Sequence, residues 1–347
     1  MSQARAFPRL RRTVVRLAIV GCLAVTGALL AAGAASSSPR SAQASPLAGK
    51  KVVLLNCADA VPWCAAFNKT FKESMTKAGV ETTVLTDNFD ANVQNQHMNQ
   101  AIASHPDAIL VLASDYKAII PGVIRAKNAG IPVVNLDAPL ADGGSKYLTF
   151  QVLADHYRLG VLSAQGLVSG LKKEGLAKAN VIVLSGVLAG PTAPLRLAGF
   201  KSVFKKYPQY KIVAIQDTFW DQTKATQAAQ QLFAQYASKG GIQGVYGMND
   251  LLALGAVHAA QQAGVKVGTK QHGLIVVGGN CLAPGIAAIK DGSEYSSATQ
   301  SPVPQAKATA SHLIAFLRGA KQPKTTLLPE YAITPSNVSR FEKECTF

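Results

Sequence analysis

Lys51-Val52-Val53-Leu54-Leu55 is a short, continuous apolar run, and Phe67, Phe71 and Met75 then recur at four-residue spacing before Gly79. The first pattern marks a strand covered on both faces, the second a helix with one apolar stripe. The unit recurs: Val80 to Leu85 is followed by a helix over Asn92 to Ala103, and Ala108 to Leu112 by a helix ending at Asn128-Ala129-Gly130 and then by the strand Ile131 to Leu136. After the loop Asp142-Gly143-Gly144 the series restarts with Tyr147 to Val152 and a helix through Ala154 to Leu171. Strands Asn180 to Leu184, Tyr210 to Ile215, Gly244 to Tyr246 and Leu274 to Val277 follow, with helical stretches between them. Strands apolar on both faces, alternating with helices, predict an α/β fold of doubly wound parallel sheets.

The N-terminus carries Arg5, Arg9, Arg11, Arg12 and Arg16, then an apolar run from Leu17 to Ala35, and no acid before Asp59. That order is a secretory signal, with Ala42-Gln43-Ala44 as the small-x-small cleavage pattern, so residues 1–44 are expected to be removed. The run is too weak in Leu, Ile and Phe for a membrane anchor. Arg11-Arg12-Thr13-Val14-Val15 loosely matches a twin-arginine signal but lacks the bulky apolar residue after the pair, so general secretion is preferred. Ile19-Val20-Gly21-Cys22 matches a lipoprotein box, which would place a lipid on Cys22; the apolar run continues well past it, so Cys22 reads as one residue of the signal. The expected location is periplasmic or otherwise extracytoplasmic.

Cleavage removes six Arg and no acid, taking the net charge from +16 to +10. Lys172-Lys173 and Lys205-Lys206 are separate pairs and form no basic stripe, so nucleic acid is not an expected partner. Cys57, Cys64, Cys281 and Cys345 remain, and in an oxidising compartment they allow three pairings. Cys57 with Cys64 is the favoured local pair, and the spacing gives no metal signal. About 300 mature residues exceed one small core and suit two lobes.

In open α/β sheets ligands bind beyond the carboxyl ends of the strands. Those positions here are Asn56 to Trp63, Asp137, Gly186 to Arg196, Asp217 to Asp221, Asn249-Asp250 and Asn280, with Gln300 after the run Ser296 to Thr299. Amides dominate, beside carboxylates, one guanidinium and two indoles. Hydroxyl-rich ligands need groups that donate and accept, and the C–H face of a sugar stacks on aromatic rings, so a polyol site is the natural reading.

Residues from about Gly49 to Thr334 resemble the type I periplasmic binding proteins of the ribose- and galactose-binding kind. The resemblance is carried by residues 129–137 (AGIPVVNLD), 247–256 (GMNDLLALGA), 276–280 (VVGGN) and 287–292 (AAIKDG). It implies two lobes joined by a three-segment hinge crossing near Gln151, Gln300 and Pro329. The N-terminal lobe would then comprise residues 45–151 with 301–328, and the C-terminal lobe 152–300 with 329–347. It also implies ligand contacts at Trp63, Asp137, Arg196, Trp220, Asn249, Asn280 and Gln300. Trp63 and Trp220 would sandwich a sugar from opposite lobes, Asp137 and Arg196 would bind hydroxyls, and the amides would fix orientation. The implied partners are a small sugar or polyol, an ABC permease with its ATPase, and a chemoreceptor where the protein also serves sensing; no cofactor is implied.

The sequence departs from the ribose-binding pattern at Ala138, where that pattern has Arg, at Asn280, where it has Asp, and in the first loop, Ala60-Val61-Pro62-Trp63-Cys64. Ribose itself is therefore not the expected ligand. A deoxy sugar, a polyol, a larger pyranose or another small polar metabolite fits as well.

Each residue also has a plainer reading. A lone Trp is more often core than platform, Asp137 could cap a turn, and Asn249 is also placed to cap the helix Asp250 to Gln262. The six His, among them His156, have no partner at telling spacing and read as exposed positions. Gly186-Val187-Leu188-Ala189-Gly190-Pro191 lacks the Gly-Lys-Ser/Thr ending of a phosphate loop. An exported enzyme would need an acid/base pair, for which only Asp137 and Asp221 offer themselves, and no Gly-x-Ser-x-Gly elbow occurs. A repressor would need a helix-turn-helix where the signal stands.

Overall fold

The computed structural model describes residues 46–141, 143–269 and 272–345. The signal of residues 1–44, with its twin-arginine and Cys22 readings, lies outside them. In chain order the first elements are β1 (Lys51–Asn56), α1 (Pro62–Lys77), β2 (Glu81–Thr86), α2 (Ala91–Ala103), β3 (Ala108–Val111), α3 (Ile120–Asn128), β4 (Val133–Asp137) and β5 (Phe150–Ala154). Next come α4 (His156–Lys173), β6 (Ala179–Ser185), α5 (Ala193–Phe204), β7 (Tyr210–Asp217), α6 (Gln222–Tyr236), β8 (Gly244–Gly247), α7 (Asp250–Gln262) and β9 (Ile275–Val277). The chain ends with α8 (Ala283–Asp291), β10 (Ser297–Ala298), α9 (Pro302–Leu317), β11 (Thr325–Leu328), β12 (Ala332–Ile333) and α10 (Val338–Cys345).

Two parallel sheets result. The first runs β11-β5-β4-β3-β1-β2 and the second β7-β6-β8-β9. Read from the opposite edge, the second repeats the order β4-β3-β1-β2 of the first, so the lobes are built alike. The continuous apolar runs are explained by two-sided burial. Val52 and Leu54 of β1 join the core with Phe67, Phe71 and Met75 of α1 and Leu313 of α9, while Val53 and Leu55 face Met98 of α2 and Val123 of α3. In the second lobe Leu167 of α4, Phe200 of α5, Leu232 of α6 and Ala256 of α7 cover β6 and β8.

One boundary differs from expectation. Residues Gly144–Tyr147 form a short 3-10 turn, and the strand is Phe150–Ala154, buried throughout and inserted between β4 and β11. The first crossing therefore follows Ala154 and not Gln151, at Asp155, whose carboxylate caps α4 by accepting from the Arg158 N–H at 2.8 Å. The other crossings lie between β10 and α9 and between β11 and β12. Antiparallel pairing of Ser297–Ala298 with Ala332–Ile333 lays these two side by side.

Cys57 is bonded to Cys64 and Cys281 to Cys345. The first closes the loop from β1 into α1, and the second ties the loop after β9 to α10. Among the described residues, no helix is long and apolar enough to cross a membrane.

Candidate functional site

The loops leaving β1, β2, β3 and β4 face those leaving β6, β7, β8 and β9 across a cleft. Trp63, Asp137, Arg196, Trp220, Asn249, Asn280 and Gln300 all line it. Apolar walls come from Val61, Leu112, Leu136, Val187, Pro191 and Leu251. The cavity holds about 80 Å³. A single water needs about 10–15 Å³ on that scale, so the space is that of several waters, the size of one small solute.

A connected polar network closes the hinge end. Asp137 ends β4 with φ 68°, a left-handed conformation that turns its carboxylate inward. Its Oδ1 accepts from the Gln300 amide at 2.7 Å and the Gln305 amide at 3.2 Å, and its Oδ2 lies 3.0 Å from His156 Nε2. Arg196 donates from Nε to His156 Nδ1 at 3.2 Å, from Nη1 to the Met248 carbonyl, and from Nη2 to Gln300 Oε1 at 3.3 Å. Because a guanidinium only donates, His156 accepts at Nδ1 and donates a hydrogen bond from Nε2–H to the Asp137 carboxylate. Burial alone would raise the Asp137 carboxyl; His156, Arg196 and the Gln305 amide outweigh it and hold the group below its ordinary value.

His156 corrects the sequence reading. It is not an exposed position: only 1% of it is accessible, and it bridges the carboxylate of one lobe to the guanidinium of the other. Sequence spacing hides this, because its partners arrive from β4 and α5.

Trp63 also sits differently. It lies in the first turn of α1, which Pro62 starts, and not in a loop. Its indole N–H donates to the Gln300 carbonyl at 2.9 Å, and its ring stacks on Phe67 at 5.4 Å, which stacks on Phe71 at 6.1 Å. One face of Trp63 thus belongs to the core. Trp220, half-buried at φ 61°, is held between Gly186 and the Arg196 guanidinium, whose Cζ lies 5.2 Å from the ring centroid. Asp221, the other half of the acid/base pair an enzyme would need, is exposed, caps α6 through the Lys224 N–H at 2.7 Å and does not line the cavity.

Asn249 caps α7 by accepting from the Leu252 N–H at 2.8 Å. Asn280, at φ 80°, keeps its Oδ1 buried without a hydrogen-bond partner. Asp250 ties the two asparagine loops together: its N–H donates to the Gly279 carbonyl at 2.8 Å, and its carboxylate accepts from the Gly279 N–H at 2.9 Å, the Leu282 N–H at 2.6 Å and the Ser297 hydroxyl at 2.6 Å. Burial lifts its carboxyl to about 7 against these bonds. Phe89 and Ser114 line the cleft as well and were not singled out from the sequence. Phe89-Asp90 ahead of α2 has the same form as Trp220-Asp221 ahead of α6, which is the signal that could have found it.

Residues 52–321 match the family described as "Periplasmic binding protein domain". The chain belongs to this family. It is 30% identical over 200 residues to the D-apiose import binding protein of Paraburkholderia graminis, a match that spans 58% of this chain and 59% of that relative's length. It is 26% identical over 251 residues to the xylitol-binding protein of Mycolicibacterium smegmatis, covering 72% and 68%. A solved galactofuranose binding protein superimposes with a TM-score of 0.79 at 22% identity, over 85% of this chain and 98% of that one, and has the same fold.

Proposed function

We propose that this periplasmic binding protein is exported by its N-terminal signal, captures a monosaccharide or polyol in the cleft, and delivers it to an ABC permease with its ATPase. The observation that supports this best is the convergence of all seven strand-end residues on one cavity between the lobes. Asn280 Oδ1 is a buried acceptor waiting for a hydroxyl. Of the five N–H donors of a guanidinium, Arg196 uses three within the protein, leaving two for a ligand. Relatives that import D-apiose or bind xylitol are of the same solute class.

Capture works by hinge closure, and a ligand shifts the lobes only by its differential affinity for the closed form. Isothermal titration of the mature chain against D-apiose, D-allose, D-xylose, L-arabinose, ribose, xylitol and myo-inositol tests the reading. Saturable binding of at least one, with ribose among the weaker, is expected. A flat response across the panel would remove the sugar and polyol assignment.

A further inference from the structure

We propose that Phe89 is the N-terminal lobe's half of an aromatic clamp whose other half is Trp220, and that the clamp selects solutes with a ring whose C–H faces lie between the two side chains. This rests on the cleft being a sugar or polyol site.

The inference comes from a turn that occurs twice. β2 and β7 occupy equivalent edges of the two sheets, and each leads into a helix, α2 or α6. After β2, the Asp87 N–H donates to the carbonyl of Asn56, the last residue of β1, at 3.3 Å; after β7, the Thr218 N–H donates to the carbonyl of Ser185, the last residue of β6, at 2.9 Å. Next come two non-glycine residues in the left-handed region, Asn88 (φ 51°) and Phe89 (φ 62°) in one lobe, Phe219 (φ 55°) and Trp220 (φ 61°) in the other. The turn then closes identically, from the Asp90 N–H to the Asp87 carbonyl at 2.8 Å and from the Asp221 N–H to the Thr218 carbonyl at 2.9 Å. Asp90 and Asp221 finally cap α2 and α6. The second left-handed residue is aromatic in both, and both rings line the same cavity.

A left-handed conformation is uncommon for a bulky residue and clusters at ligand sites. Here one lobe also fixes it with buried polar groups. Asp87 accepts from the Phe89 N–H at 2.9 Å and from the Ser114 hydroxyl at 2.7 Å, and Gln94 accepts from the Ser114 N–H at 2.9 Å. Phe89 itself is only half-buried, resting on the edge of the core that contains Trp63. Trp63, on the same side, has its indole N–H on Gln300 and one ring face on Phe67 and is buried, so Phe89 presents the more exposed ring of the two.

The test is isothermal titration of the mature chain with D-xylose and D-allose as ring probes and xylitol as an acyclic one, in wild type, Phe89→Ala, Phe89→Tyr and Trp220→Ala. For the sugar that wild type binds, Phe89→Ala and Trp220→Ala should each raise Kd about five-fold, the scale of one lost aromatic contact, and Phe89→Tyr should stay within about two-fold. Phe89→Ala should weaken the ring sugar more than xylitol, a difference that a purely structural role would not produce. Thermal melts, expected to be unchanged for this half-exposed residue, report folding separately. Wild-type binding that survives in Phe89→Ala within two-fold overturns the clamp alone. Wild type that binds neither these probes nor any other solute of the panel removes the proposed function and the clamp with it.

Discussion

Gly186→Ala isolates the packing of Trp220, because Gly186 directly follows β6 and its φ is not left-handed, so alanine brings no backbone penalty and only one methyl group. That methyl would lie 1.9 Å from Trp220 Cε2, 2.1 Å from Cζ2 and 2.2 Å from Cδ2. Carbon atoms in good contact are about 3.5–4.0 Å apart, so the ring must retreat by roughly 1.5 Å. The clash falls on the rigid fused edge of the indole, which cannot bend away from the methyl group. If Trp220 stays in the cleft, overpacking costs about 1–3 kcal/mol; if it swings out, its contact with Arg196 is lost, worth about 0.5–2 kcal/mol. Either route lowers Tm by several degrees, taking about 2–4 °C per kcal/mol for a chain somewhat smaller than this one. Calorimetry gives the stability change and titration with the bound sugar gives Kd, expected to rise by up to about five-fold, the loss set by one aromatic contact. Trp63 and Trp220 are the only tryptophans, so the emission maximum follows ring position directly. A Gly186→Ala protein with unchanged Tm, emission and Kd would refute this packing of Trp220 and with it the position of one side of the cleft.

Stability should fall as pH rises from about 4.5 to 8. Burial raises Asp250 to about 7, Glu330 to about 8 and Glu294 well above its ordinary value, so the folded protein holds protons that the unfolded chain has released. Their stabilising effect is complete below the unfolded values and is lost as pH passes the folded ones. Asp137 acts oppositely, losing its contribution as pH falls through its depressed value. Melting curves should show Tm decreasing over this range and a shallower slope in Glu330→Gln; a rising Tm contradicts the burial of these acids. His156→Phe strands Asp137 Oδ2 and Arg196 Nε, each costing about 1–3 kcal/mol, and should weaken binding too, whereas equal Tm and Kd in the variant would show that the bridge is not formed. Replacing Cys281 and Cys345 by Ser, a pair 64 residues apart, should cost about 4 kcal/mol, against about 2.5 for Cys57 and Cys64, 7 apart, on the chain-entropy scale. The first replacement should also raise Kd, because Asn280 precedes Cys281, and the reverse order of effects in melts and titrations would contradict this.

The α/β alternation was legible because strands buried on both faces leave an uninterrupted apolar run, as in Ala108–Val111. That the strand-end residues would line one cavity was legible because open α/β sheets form their clefts beyond the carboxyl ends of the strands. What escaped depended on contacts distant in sequence. β5 was cut short because nothing near Gln151 reveals that β11, at Thr325–Leu328, will pair with it. His156 was misread because Asp137 and Arg196 lie 19 and 40 residues away. Trp63 was recoverable: Trp63, Phe67, Phe71 and Met75 form one four-residue stripe, and starting the helix at Pro62 would have placed the indole on its core face.

The polar network divides the work of the cleft between closure and recognition. Asp137 belongs to the first sheet, His156 and Arg196 to helices of the second lobe, and Gln300 to a crossing segment, so the bonds of Asp137 to His156 and Gln300 and of Arg196 to Gln300 span the lobes or the hinge, while the Arg196–His156 bond lies within the second lobe. These groups spend their hydrogen bonds on one another, and a group whose bonds are committed within the protein has less capacity to read a solute. Asp137 is therefore expected to act on hinge closure more than on the reading of hydroxyls. Discrimination falls to groups with unused capacity: the orphaned Asn280 Oδ1, the remaining Arg196 donors and the aromatic faces. Asp137→Asn should accordingly shift Kd by a similar factor for every solute the protein binds, whereas Asn280→Ala should change their order. A titration panel in which Asp137→Asn reorders the solutes would reverse this division.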